Sequence, residues 1–162
     1  MEHGNPTFLS FAVRASRYGY AVFAGREKLL DWGAGEILSH ETGNLVGIRR
    51  SAFLFEHFRP DVVIVSRSPR LLRGSYPRAS RLIESVRREA DILDAQFISF
   101  DWHNITLAFA VSGPATRYEI ASALAEVFPD LLWKLPPKPK STDREPHILI
   151  AFDAVAAVVA CN

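Results

Sequence analysis

Asp153 interrupts the longest apolar run of the chain, Ile148–Cys161. A carboxylate in that setting can ligate a metal, or it can cap a helix or close a salt bridge. Asp101 and His103 stand two residues apart, so on an extended segment their side chains would share a face. Together with Asp153 they offer the donors of a displaced Mg or Mn site; the plainer reading is a polar strand end at the surface. Ser66, His103 and Asp153 have the residue types of a hydrolase triad, but no G-x-S-x-G elbow frames Ser66.

The arginines make a different offer. Arg67, Arg70, Arg73, Arg78, Arg81, Arg87 and Arg88 fall in one stretch against a single acid, Glu84. Arg78, Arg81, Ser85 and Arg88 recur at helical spacing on a face away from Leu82, Val86 and Leu93. Guanidinium forks suit phosphate oxygens, although a run of charge is also what a solvated helix face looks like. Lys134, Lys138, Lys140 and Arg144 form a second basic patch. Trp32, Trp102 and Trp133 have rings that could stack on bases, and burial is expected for at least two of them. Gly33 and Gly35 lack the spacing of a dinucleotide fingerprint and more simply ease a twisted strand.

The elements that must position these groups can be read from period and punctuation. Phe8–Val13, Gly19–Phe23 and Leu29–Ile37 read as strands, with a turn at Gly25, in an antiparallel meander. Leu45, Ile48, Ala52 and Phe55 recur at helical spacing, with Val46 and Phe53 beside them, and Pro60 ends that helix. Val62–Val65 is a continuous apolar run typical of a central parallel strand. Ser68–Pro77 reads as a loop. Leu82, Ile83, Val86, Ala90 and Leu93 mark an amphipathic helix, and Phe97–Phe100 a fifth strand. Thr116 and Glu119 form a capping-box pattern ahead of Ile120, Leu124 and Val127. The proline-rich segment Leu135–Pro146 connects to a last apolar helix, about Ile148–Ala160. These elements make an α/β domain: a five-stranded mixed sheet with helices on both faces.

Composition bounds the function. The 162 residues, 48% hydrophobic and 23% charged, suit one globular domain. A net charge of +1 gives no whole-chain nucleic-acid signal, so any basic site is local. A lone cysteine, Cys161, cannot close an internal disulfide, and no segment reads as a signal peptide or a membrane span. A cytoplasmic location and no membrane partner are expected.

With the order of elements in place, several local patterns resemble the RuvC-type Holliday-junction resolvases, whose fold is RNase H-like. That family's first strand carries D-P-G-S followed after a fixed gap by G-Y-G; here Gly19-Tyr20-Ala21 stands at the second pattern, and Ala12 then Val13-Arg14-Ala15 at the first. The family's P-D, four apolar residues and glutamate align with Pro60-Asp61-Val62-Val63-Ile64-Val65, with Ser66 at the glutamate. The family's D-A-A-D-A aligns with Ile150-Ala151-Phe152-Asp153-Ala154. Phe97–Thr106 is similar to the family's fifth strand and the residues after it, with Thr106 where a lysine is usual. The likeness runs from about residue 8 to 160.

The resemblance implies a nuclease fold that clamps two divalent metals with carboxylates. Ala12, Ser66 and Ile150 stand at three of the acid positions, and Asp153 is the relic of the fourth. One carboxylate will not hold two dications against hydration. The implied reading is therefore a degenerate nuclease-fold domain, without standard two-metal activity or a cofactor, that binds DNA through phosphate contacts or binds a partner protein. The alternatives are an active endonuclease using Asp101, His103 and Asp153, and a structural interaction domain. An actin-like nucleotide-binding fold shares the strand order, but its D-x-G loop is missing at Ala12. The resemblance also implies a homodimer, for which Val86 and Leu93 could supply an apolar face, although the same residues would equally pack on the sheet.

Overall fold

The computed structural model describes residues 4–37, 41–72, 74–113, 116–140 and 145–161, without the side chains of residues 41–48 and 72. The expected packing of Leu45, Val46 and Ile48, and the placement of Arg73 and Arg144, lie outside the described residues.

Strands β1 (Thr7–Val13), β2 (Arg17–Ala24) and β3 (Lys28–Glu36) form the meander. Gly25, at φ +64°, makes the β2–β3 turn. Helix α1 (Glu41–Phe58) leads to β4 (Val62–Arg67), and α2 (Pro77–Ile92) to β5 (Gln96–Asp101). Helices α3 (Trp102–Ala110), α4 (Arg117–Val127) and α5 (Leu149–Ala160) complete the chain, with short 3-10 turns at Pro69–Leu72 and Pro129–Lys134. The five strands lie in the order β3-β2-β1-β4-β5. β1 pairs antiparallel with β2 and parallel with β4, so it is the centre of a mixed sheet as expected.

Alternation along β1 explains the two cores. Phe8 and Ala12 face one side with Ala21, Phe23 and Ile64, under α3, α4 and α5. Leu9, Phe11 and Val13 face the other with Val63 and Val65, under α1 and α2. Every residue of α5 from Leu149 to Val158 is buried, which is how a helix without a polar face must sit. The helix comes close to β2 because Gly19 has no side chain: a Cβ there would overlap the backbone carbonyl of Ile150. Ala12 is paired with Gly19 across the ladder.

Two expectations need correction. Asp101 and His103 do not alternate along one strand or loop segment; the chain turns into α3 at Trp102, with Asp101 and Asn104 forming its capping box. The Asp101 amide donates to Asn104 Oδ1 at 3.3 Å, and Ile105 anchors the helix in the core. The apolar face of α2 is not free for pairing either. Val86 is fully buried and Leu93 packs against the same core, so both serve the sheet.

Candidate functional site

The carboxyl ends of β1 and β4 open into a cleft of about 380 Å³. Its wall includes Ala12, Arg14, Ser66, Arg67, Arg70, Trp102, His147 and Asp153. Ala12 and Ser66 are register partners on neighbouring strands, and α5 brings Asp153 over them because Gly19 lets it approach. Ile150 points into the apolar core beneath. The positions aligned by sequence thus meet at one end of the sheet.

Asp153 is buried, and its charge is met by arginine. Arg117 Nε donates to Asp153 Oδ1 at 3.0 Å and to Oδ2 at 3.1 Å, and its Nη2 to Oδ2 at 2.6 Å. Arg117 Nη1 also binds the Glu145 carboxylate. The side chains of Arg117 and Asp153 are only 9% and 7% exposed. Arg14 completes the cluster from further off, 3.5 Å from Asp153 Oδ2 and 3.9 Å from Glu145 Oε2.

Burial penalises both charges of the pair. For Asp153 burial pushes the carboxyl above its usual range, with Arg117 and Arg14 pulling it back. For Arg117 burial pulls down, but Asp153 and Glu145 outweigh it, and the guanidinium is held above its ordinary value. The geometry favours the ion pair, because guanidinium N–H groups already occupy both carboxylate oxygens and leave a carboxylic proton no acceptor. Arg14 lies below its ordinary value, from burial first and the neighbouring Arg117 second.

This donor set does not fit two divalent metals. Ala12 and Ile150 bring no oxygen donor, Ser66 only a neutral hydroxyl, and Asp153 has both oxygens engaged by a fixed cation. Among the described residues, no three His, Cys, Asp or Glu side chains stand together in a way that could hold a metal ion. The displaced site is not assembled: Asp101 caps α3, His103 is exposed in the first turn of that helix, and neither lines the cleft with Asp153. His103 is likewise absent from the wall that Ser66 and Asp153 share, so that triad does not form.

The cleft is better furnished for an anion. Arg17 is paired with Glu36 at 3.0 Å, whereas Arg67 and Arg70 have no carboxylate partner among the described residues. Arg67 Nε is buried without a hydrogen-bond partner, a donor that a ligand oxygen would satisfy. The remaining arginines divide. Arg81 and Arg88 are exposed on α2. Arg78, expected on the same outward face, is half-buried and reaches the Ile37 carbonyl at 3.5 Å. Arg87 lies over the Phe97 ring. Lys134, Lys138 and Lys140 are exposed. Of the tryptophans, Trp32 packs near Phe152, Trp102 is half-buried at the cleft, and Trp133 is 89% exposed.

Sequence reasoning missed the groups that fill the site. No sequence pattern singles out Arg117, and Arg14 enters only as a mismatch to P-G-S. The signal available was Asp153 itself: a carboxylate inside an apolar helix needs a cation, and Arg117 comes directly after the capping Thr116.

Comparison with solved structures decides the fold. The fold is that of the RuvC resolvases. RuvC of Thermus thermophilus in complex with a Holliday junction substrate superposes with a TM-score of 0.68 at 15% identity, covering 96% of this chain and 92% of that one. Another Thermus thermophilus RuvC structure gives 0.65 at 16% identity, over 95% and 92%. The yeast mitochondrial Holliday junction resolvase Ydc2 gives 0.65 at 13% identity, over 98% and 79%. No protein-family model and no curated protein sequence matches the chain. The chain thus shares the fold of these resolvases, and no described helix is long and apolar enough to cross a membrane.

Proposed function

We propose that this protein binds nucleic acid through phosphate contacts at the cleft and does not cleave it by the two-metal route. The observation that carries the reading is the Arg117–Asp153 pair: a built-in guanidinium takes up the carboxylate at the place where the resembled nucleases would need it for a metal. Arg67 and Arg70 then face the same cleft, and no carboxylate among the described residues neutralises them. Because the fold is shared with a RuvC solved on a Holliday junction substrate, branched DNA is the first ligand to try. Arg81 and Arg88 on α2 extend the basic surface; no recognition-helix pattern accompanies them, so binding is indifferent to base sequence.

Binding of this kind releases counterions. Its affinity falls with salt at a log–log slope of roughly −0.9 per phosphate contact on duplex arms. The test is a junction-binding titration at several salt concentrations with Arg67→Ala/Arg70→Ala. The slope should flatten by about two units. A wild-type protein that fails to bind even at low salt would overturn the reading and favour a structural interaction domain. A homodimer is compatible with this proposal only through a surface other than Val86 and Leu93.

A further inference from the structure

Trp102 is a cleft feature that phosphate binding leaves unused. It opens α3 directly after the sheet-terminating Asp101, packs partly against the α5-side core, and forms cleft wall beside Arg67 and Arg70. A duplex keeps its bases stacked inside and offers this ring nothing. An unpaired nucleotide presents a phosphate and a free base face together. The cleft's 380 Å³ lies at the small end of ligand pockets, roughly 300–1,000 Å³, which is room for one nucleotide.

Resting on the nucleic-acid reading, we propose that the cleft holds a single unpaired nucleotide of a DNA strand, with its phosphate on Arg67 and Arg70 and its base against Trp102. Arg14 is built to join them. Its contacts to Asp153 and Glu145 are long and its side chain is 40% exposed, while Arg117 alone already satisfies Asp153. Arg14 can therefore turn to an incoming phosphate without leaving a buried carboxylate bare. Ser66 and Ser68 add hydroxyl groups to the same wall.

The experiment measures affinities for a labelled oligo-dT strand and for a blunt duplex, using wild type, Trp102→Ala and Trp102→Phe. Loss of one base-stacking contact should weaken single-strand binding roughly 5- to 150-fold in Trp102→Ala. Trp102→Phe should retain most of the affinity, and duplex binding should be unchanged in both. Equal single-strand binding by wild type and Trp102→Ala, or an equal loss on duplex, overturns the proposal while leaving phosphate binding intact. Binding of neither DNA by wild type fails the underlying reading as well. Competition by thymidine monophosphate as effective as the oligonucleotide would assign the cleft to a free nucleotide and also overturn the proposal. In case Trp102→Ala unfolds, the Trp32→Phe/Trp133→Phe chain leaves Trp102 as sole emitter. Its fluorescence should change with oligo-dT and not with duplex, and no change with oligo-dT sinks the idea.

Discussion

Replacing Arg117 with Met removes the cation from a buried carboxylate and keeps much of the side chain's bulk. Asp153 would then keep only Arg14, now 3.5 Å away. Removing one partner of a buried pair typically costs about 3–5 kcal/mol, because the survivor is left charged and desolvated. Arg14 can close in, so the lower end of that range is expected. For a chain of 162 residues, about 2–4 °C per kcal/mol places the fall in Tm at roughly 6–12 °C. The double variant Arg117→Met/Asp153→Leu removes the stranded charge as well, and an apolar replacement of a buried pair is often neutral or stabilising, by about 1–4 kcal/mol. The double variant should therefore melt well above the single one. Urea and thermal unfolding followed by circular dichroism measure both. A single variant within about 1 kcal/mol of wild type, or a double variant no more stable than the single, would refute the assignment of Arg117 as the cation that balances Asp153.

The packing sets two further outcomes. Val86→Asp should destabilise the fold by several kcal/mol, since it buries a charge between α2 and the sheet, and the loss should be visible by chemical denaturation at any protein concentration. A variant that keeps wild-type stability and only changes the light-scattering mass would return Val86 to a pairing surface. Gly19→Ala should cost about 1–3 kcal/mol by forcing α5 off β2, read as a lower Tm. An unchanged Tm would mean that the helix has room to move.

The fold was legible because its signals are local. The Gly25 turn, the apolar run Val62–Val65 and the helical spacing of Leu82, Val86 and Ala90 each fix one element, and their order selects the sheet. Helix α3 was not legible in the same way. Trp102–Ala110 begins immediately after a strand, and its cap, Asp101, looked like an alternating strand residue paired with His103. The site was legible in outline: Ala12, Ser66 and Asp153 converge as the resemblance implied. Its occupant was not, because pairing Arg117 with Asp153 and Glu145 requires knowing how α4 and the residues before α5 fold over the sheet end. The outward arginine face was half right. Arg81 and Arg88 are exposed, while Arg78 turns back to the Ile37 carbonyl, a contact that helical periodicity alone does not reveal.

The most direct test of the central claim is a four-way junction incubated with the protein in Mg²⁺, in Mn²⁺ and in EDTA, with retention and strand cleavage read from the same samples. The account predicts retention that persists in EDTA, weakens with salt, and yields no cut strand under any of the three conditions. Cleavage that requires the metal and disappears in Asp153→Asn would contradict it, and would mean that Asp153 serves a metal rather than Arg117.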